Sequence, residues 1–283
     1  MIVKKINNVK EGEKVKEEMI KNIYKKDVDI YTEEGKLLAR FRKKEITKEK
    51  IKLFYENIKD HAYKKTSNRG TASGQKSRKK NVRENPKIMS NVIGYIDGFA
   101  PSQKVKIKRN NLDVKTNIRP CIFNLNEKEK WKQVQPYIKE VDKLYKKYMK
   151  EEYKNQREKA DESKYKIEDT SFTTVTTNVN YQTRIHKDRG DDTEGYGNIT
   201  VIEDGEYTGG ETCFPEYGIG FDVREGDILL MDVHEYHGNL KKKGKGNRMS
   251  VVCYLKLNVW EKSKRLTKKE MIEHTELMKK LAT

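Results

Sequence analysis

From about Ser171 onward, apolar and polar residues alternate with a period of two, the spacing of a half-buried strand. Eight segments read as strands: Phe172–Thr177, Thr183–Lys187, Gly197–Ile202, Glu211–Phe214, Gly220–Val223, Asp227–Met231, Tyr236–Leu240 and Met249–Leu257. Turn residues separate them at Asp204-Gly205, Gly209-Gly210, Glu225-Gly226 and Gly244–Gly246. About eight short antiparallel strands predict a double-stranded β-helix, or jelly roll, within an α+β chain. After Trp260 the period becomes helical again as far as Leu281.

The first half mixes both periods. Ile20, Ile23 and Tyr24 hold helical spacing, and Ile51, Leu53, Phe54 and Ile58 form the apolar side of a helix that Thr47 opens as its N-cap. Val92–Gly98 reads as strand and turn, and Ile118–Phe123 as a short strand with Pro120 at an edge or bulge. Glu127 to about Lys159 is a long helical stretch, and Pro136 predicts a kink or restart inside it. Its stripe of Trp131, Val134, Tyr137, Ile138, Val141, Leu144 and Tyr148 marks a packing face against a sheet. The expected organisation is an α/β extension over 1–64, a basic loop over 65–86, supporting strands and the long helix over 87–165, the jelly-roll core over 166–260 and a C-terminal helix over 261–283.

The basic loop has almost no apolar side chains. It is either a solvated linker or, through Arg69, Lys76, Arg78, Lys79 and Lys80, a contact to nucleic-acid phosphates that orders on binding. Charge bears on that choice. The 283 residues carry 62 Lys+Arg against 44 Asp+Glu, a formal net charge of +18, which suits a polyanionic partner, most simply nucleic acid. Only 34% of residues are hydrophobic, so the core must be concentrated in part of the chain. Cys121, Cys213 and Cys253 are far apart and form no CxxC pair, which argues against a disulfide framework and for a reducing cytoplasm or nucleus. No signal-like apolar run opens the chain and no stretch reaches the ~20 apolar residues of a membrane span. An intracellular protein that is not secreted, without membrane contact and with no obligate protein partner, is expected.

Chemistry concentrates in the predicted barrel. His186 and Asp188 sit at i and i+2, on one face of a strand. His237 follows 49 residues after Asp188, and Arg248 another 11 residues on, at the start of the last strand. Two histidines and one carboxylate facing one Fe(II) leave open positions that suit O2 activation. The arginine offers a fixed two-pronged donor for a carboxylate such as the far end of 2-oxoglutarate. His234 competes for the distal position, but alternation sends 234 and 237 to opposite faces, and His237 heads its strand. His61 and His274 lie outside the barrel as structural or surface residues. Arg184 shares the face of His186 and either helps bind 2-oxoglutarate or makes a surface ion pair.

The stretch from Asn178 to Lys256 resembles the Fe(II)/2-oxoglutarate dioxygenases, and among them the TET/JBP group of pyrimidine oxygenases. The likeness is carried by His186-Lys187-Asp188-Arg189-Gly190-Asp191, by Gly209-Gly210-Glu211 through Pro215-Glu216-Tyr217-Gly218, by Arg224-Glu225-Gly226-Asp227, by His237-Gly238-Asn239 and by Arg248. It implies that His186, Asp188 and His237 bind Fe(II), that Arg248 binds 2-oxoglutarate, and that O2 is the third reactant. It also implies a base-side set. Asp191 contacts the base edge or its own loop, Tyr254 stacks on the flipped base or fills the core, and Lys256 follows on the same face. Some cytosine-oxidising members carry a histidine where this chain has Lys256, which counts against cytosine specificity and leaves thymine or another pyrimidine open. The implied reaction is hydroxylation of a pyrimidine methyl group in DNA, with succinate and CO2 as co-products. A prolyl-type peptide hydroxylase and a non-enzymatic nucleic-acid-binding module are the rival readings.

Overall fold

The run Ile228-Leu229-Leu230-Met231 is apolar at every position, which suits a strand covered on both sides. In the computed structural model, which describes residues 1–66, 70–74 and 86–282, these four residues are a fully buried strand. In chain order the strands are β1 (Ile2–Val3), β2 (Asn22–Tyr24), β3 (Val28–Thr32), β4 (Leu37–Arg42), β5 (Met89–Asp97), β6 (Ile118–Pro120) and β7 (Thr174–Val179). They continue with β8 (Gly197–Asp204), β9 (Thr212–Phe214), β10 (Ile219–Phe221), β11 (Ile228–Met231), β12 (Gly238–Asn239) and β13 (Asn247–Tyr254). The helices are α1 (Lys48–Ala62), α2 (Pro101–Arg109), α3 (Ile122–Asn126), α4 (Lys128–Tyr148), α5 (Lys150–Glu162), α6 (Leu257–Ser263) and α7 (Lys268–Ala282). They divide between two compact units. One comprises Met1–Asn91, Thr176–Arg189 and Tyr196–Val252, the other Val92–Val175, Gly190–Gly195 and Cys253–Thr283.

The first unit is the jelly roll. Its large sheet runs β1-β3-β4-β11-β8-β13-β7-β5, and its small sheet β12-β9-β10-β2. β11 pairs antiparallel with β4 on one side, Leu229 opposite Phe41, and with β8 on the other, Leu229 opposite Ile199. Ile30, Leu38, Phe41, Val201 and Leu229 of the large sheet pack with Phe214, Ile219 and Phe221 of the small one in a single apolar cluster. The turn into β11 explains the Arg224-Glu225-Gly226-Asp227 motif. Gly226 adopts φ +87°. The buried Asp227 carboxylate accepts from the Arg224 and Lys44 backbone N–H groups (2.8 and 3.0 Å) and from the Lys43 ammonium (2.6 Å). α1 buries Ile51, Phe54, Ile58 and Ala62; Thr47 is its N-cap, without a side-chain capping bond.

Two expectations change here. Ile20, Ile23 and Tyr24 are not helical: a 3-10 turn ends at Met19, and Asn22–Tyr24 is β2, parallel to β10 with Ile23 opposite Gly220. Pairing with an available sheet edge outweighs a three-residue helical spacing in a β-prone segment. Thr183–Lys187 is no strand, for reasons that belong to the site described below.

In the second unit, α4 runs unbroken through Pro136. Pro136 lies on the exposed side, where water can satisfy the carbonyl its missing N–H leaves unpaired. The interruption comes instead at Met149 (φ −136°, ψ 64°), before α5 begins. The predicted stripe is buried at Val134, Tyr137, Ile138, Val141 and Leu144. Within it Asp142 is buried too, accepting from the Ser171 N–H and hydroxyl (both 2.7 Å) and from the Tyr153 hydroxyl (3.1 Å). β6 pairs with the second half of β5, Tyr95 opposite Pro120, but stops there: Ile122 onward is α3 rather than strand. His274 is buried, its Nε2 2.6 Å from the Ile118 carbonyl.

Cys121, Cys213 and Cys253 are free, buried thiols. Among the described residues no helix is long and apolar enough to cross a membrane. Central packing sets the expected stability response. Leu229→Ala lowers unfolding free energy by about 2–5 kcal/mol in urea titration followed by circular dichroism. Ile122→Ala, at a position 52% exposed, changes it by less than about 0.5 kcal/mol.

Candidate metal and co-substrate site

Between Asn180 and Arg189 successive residues bond to different segments, so no ladder forms. Arg184 N–H donates to Ala72, Ile185 to Glu13, His186 to His237 and Asp188 to Val233, at 2.8–3.0 Å. His237 N–H returns a bond to the His186 carbonyl at 3.0 Å, so these two residues form an isolated antiparallel bridge. That bridge brings the proximal and distal histidines together, with ring centroids 4.3 Å apart.

Each imidazole is then aimed by its own backbone. His186 Nδ1 lies 2.8 Å from the Arg184 carbonyl, and His237 Nδ1 2.9 Å from the Glu235 carbonyl. A carbonyl only accepts, so Nδ1 carries the proton and Nε2 presents a lone pair. Both Nε2 atoms face Asp188, at 3.5 Å from Oδ1 and 3.5 Å from Oδ2 respectively. Burial alone would raise the Asp188 carboxyl; with both imidazoles also protonated at Nε2, their hydrogen bonds and charge hold it well below the usual carboxylate range, and a bound cation would take the place of those protons. One ligand atom from each of His186, Asp188 and His237 lies within 4.8 Å of the others, and among the described residues this is the one such group. The donor set, two neutral nitrogens and one carboxylate, fits a divalent iron ion. His234 is not part of it; its N–H donates to Asp232 Oδ1 at 2.9 Å in the preceding turn.

Arg248 opens β13. Asn180 holds its backbone from both sides: Arg248 N–H donates to Asn180 Oδ1, and Asn180 N–H to the Arg248 carbonyl, each at 2.9 Å. The side chain is only 7% exposed. Its Nη2 is buried with no hydrogen-bond partner among the described residues, and so are the Tyr207 hydroxyl and Glu211 Oε2. Burial pushes the guanidinium below its ordinary value, with Tyr207 and Glu211 opposing that through their charge interactions. A buried arginine lacking a partner lacks the acceptor its fork is shaped for, and a carboxylate supplies two. The residues present therefore fit a dicarboxylate co-substrate. Gly210 makes room for this arginine. At φ +82°, a Cβ there would lie 2.7 Å from Arg248 Cδ and 3.1 Å from Nε.

The other expected residues fall as follows. The Arg184 guanidinium donates to the Gly12 carbonyl at 2.9 Å and packs on Gly74, where a Cβ would meet its Nε at 2.5 Å. In the second unit, Asp191 and Lys256 are antiparallel bridge partners. The Lys256 ammonium lies 3.6 Å from Asp97 Oδ1. β13 ends at Tyr254, so Lys256 stands beyond the strand as the N-cap of α6, a correction to the strand extended to Leu257. Tyr254 is half-buried, its carbonyl accepting from Thr173 N–H at 3.1 Å. Arg69, Lys76, Arg78, Lys79 and Lys80 lie outside the described residues. Sequence reasoning missed Asn180, Tyr207 and the clearance role of Gly210. Only Asn180 carried a signal, as a residue type tolerant of its φ of +53°.

The shared carboxylate gives a direct test. Asp188→Asn keeps the shape and removes the charge, so Mn(II) affinity measured by calorimetry falls by more than the roughly 10–100-fold that outer-sphere changes cost. An unchanged affinity would mean the metal binds elsewhere.

Residues 107–257, more than half of the chain, match the family model Tet_JBP, the oxygenase domain of the 2OGFeDO superfamily. The match takes in all four of His186, Asp188, His237 and Arg248. The chain is similar to thymine dioxygenase JBP1 of Trypanosoma brucei brucei, 28% identical over 177 residues, covering 61% of this chain and 20% of that protein. It is also similar to bifunctional helicase and thymine dioxygenase JBP2 of Leishmania major, 37% identical over 127 residues, covering 44% of this chain and 11% of that protein. The chain thus spans a fifth or less of the length of these two relatives. A solved structure, NgTET1 in complex with 5mC DNA, aligns over 89% of this chain and 86% of that one, at 13% identity and a TM-score of 0.48. The match over residues 107–257 shows that the chain belongs to the Tet_JBP family of 2OGFeDO-superfamily oxygenase domains.

Proposed function

We propose that the chain is an Fe(II)- and 2-oxoglutarate-dependent dioxygenase that hydroxylates the methyl group of a pyrimidine base in DNA. The observation that carries this reading is the buried Arg248 guanidinium, whose Nη2 has no hydrogen-bond partner among the described residues, in the same unit as the His186–Asp188–His237 cluster. His186 Nε2, His237 Nε2 and an Asp188 oxygen hold the iron, and Arg248 grips the far carboxylate of 2-oxoglutarate. When bound, iron, 2-oxoglutarate and O2 supply an oxidant able to replace a methyl C–H by C–OH, with succinate and CO2 as co-products. The chain's own part is positioning. The Nδ1 bonds fix both rings, and the dry surroundings of Arg248 strengthen its hold on a carboxylate.

The substrate assignment rests on other support. The relatives named thymine dioxygenases favour thymine, and so does Lys256 in place of the histidine of some cytosine-oxidising members. Asp191, Tyr254 and Lys256 are proposed to meet the base, which must leave the duplex stack to be oxidised. Arg69, Lys76, Arg78, Lys79 and Lys80 are proposed to meet phosphates, and Arg184 to assist 2-oxoglutarate. The formal charge of +18 suits such a polyanion. A DNA substrate places the protein in a compartment that holds DNA.

The protein incubated with Fe(II), 2-oxoglutarate and duplexes containing thymine or 5-methylcytosine yields a hydroxymethyl nucleoside by mass spectrometry, and His237→Ala yields none. Hydroxylation of a proline-containing peptide, with none on DNA, would overturn the assignment. Arg248→Leu removes the charge and every guanidinium donor. The Kd for 2-oxoglutarate in the Mn(II) protein, read by calorimetry, rises roughly 10–150-fold, matching the ~1.5–3 kcal/mol of charge-assisted hydrogen bonds.

A further inference from the structure

The second unit carries a surface that the proposed chemistry leaves unused. Met149 interrupts the helical path between α4 and α5, and the adjoining ends of both helices border one open cavity of about 670 Å³. Six basic residues line it: Lys143, Lys146 and Lys147 from α4, and Lys150, Lys154 and Arg157 from α5. Glu158 is the one acid in the lining. Tyr153 lies among them, 9% exposed, with the Lys146 ammonium 5.9 Å from its ring centroid and its hydroxyl committed to Asp142.

The spacing is regular. Lys143 and Lys147 are i and i+4 on α4, and Lys150, Lys154 and Arg157 are i, i+4 and i+7 on α5, so each helix presents a row of cations. Like charges at i and i+4 oppose helix formation. Carboxylates do not offset them fully. Lys143 reaches Glu140 only at 3.9 Å, and Arg157 pairs with Asp161 at 3.0 Å. Lys146, Lys150 and Lys154 are exposed and form no ion pair among the described residues. The α5 row extends about 10 Å along its helix axis, at ~1.5 Å per residue. A small anion engages one or two ammonium groups, whereas a polyanion with a charge every ~1.7 Å of axis engages the whole row. The flexible, point-like lysine charges suit contacts that position a backbone without reading its bases. A membrane surface is the poorer match, because no large apolar side chain stands exposed among these lysines.

We propose that this α4–α5 groove is a docking surface for the phosphate backbone of a nucleic acid duplex, contacted independently of sequence. The proposal rests on the reading of DNA as the substrate and adds a second basic contact to the one expected from residues 65–86. The test is a triple variant, Lys146→Gln, Lys150→Gln and Lys154→Gln, in the full chain, with Lys21→Gln, Lys52→Gln and Lys269→Gln as a control of equal charge. Circular dichroism verifies that both are folded. Affinity for a fluorescent 30-base-pair duplex without modified bases is read by anisotropy across a NaCl series. The groove variant is expected to bind at least tenfold more weakly at low salt. Its slope of log K against log salt is expected to drop by roughly 2 to 3, at about 0.9 per phosphate contact. The control is expected to keep most of the wild-type slope. Equal losses in both variants, or none in the groove variant while the wild type binds, would overturn the groove and leave the DNA reading standing. A wild type that binds no duplex would overturn both. Loss of binding to phosphatidylserine vesicles with duplex binding intact would reassign the surface to a membrane and overturn the proposal.

Discussion

Everything at the site depends on two main-chain hydrogen bonds. His186 and His237, 51 positions apart, each donate an N–H to the other's carbonyl, at 2.9 and 3.0 Å. Those bonds set the distance between the two segments, and the direction of each ring is set separately. In both cases Nδ1 is held by the carbonyl two residues earlier in its own segment, Arg184 for one and Glu235 for the other. The same small device is used twice. The lone pairs that face Asp188 are therefore positioned by backbone atoms, which no side-chain substitution elsewhere removes. The sheets matter to the chemistry by keeping these two stretches of chain side by side.

Two buried charges, one in each unit, show how structure separates a structural group from a receptive one. Asp142 is surrounded by donors: an N–H and a hydroxyl from Ser171 and the hydroxyl of Tyr153. Those bonds satisfy the carboxylate within the unit, although burial still raises it above the usual carboxylate range. Arg248 is buried to a similar depth with an idle Nη2, beside the idle Tyr207 hydroxyl and Glu211 oxygen. Leaving a charged donor unsatisfied costs stability, on the order of 1–3 kcal/mol or more. Folding alone would not retain that arrangement, and the site returns the cost when a carboxylate arrives.

Much of this was legible in the residues. His186, Asp188, His237 and Arg248 stand in the order that the cluster and the arginine require, and most of the alternating segments are strands. What misled was local pattern where tertiary pairing decides. Ile20, Ile23 and Tyr24 keep a helical spacing yet form β2, because a sheet edge lies beside them. Thr183–Lys187 alternates like a strand, but its hydrogen bonds go to several partners. Pro136 leaves α4 intact because its face meets water. The surroundings of Arg248 were illegible for a different reason. Tyr207 and Gly210 lie some 40 residues from it in sequence, and only the fold decides what each touches. The row of lysines across α4 and α5 was hidden because the break at Met149, which sets both rows around one cavity, has no mark in the sequence.

The three thiols acquire a meaning once oxygen chemistry is placed in this fold. Cys213 sits in β9 directly opposite Gly238, the neighbour of the distal histidine. Thiols oxidise through the thiolate, and only where an oxidant can reach them. Burial pushes Cys121 up to about 12 and moves Cys213 and Cys253 the same way. All three are kept protonated and out of reach, none beside a second thiol with which to form a disulfide. A protein that consumes O2 is its own nearest source of oxidative damage. Under the proposed oxygen chemistry, the packing within each unit also keeps its sulfur in the less readily oxidised protonated form.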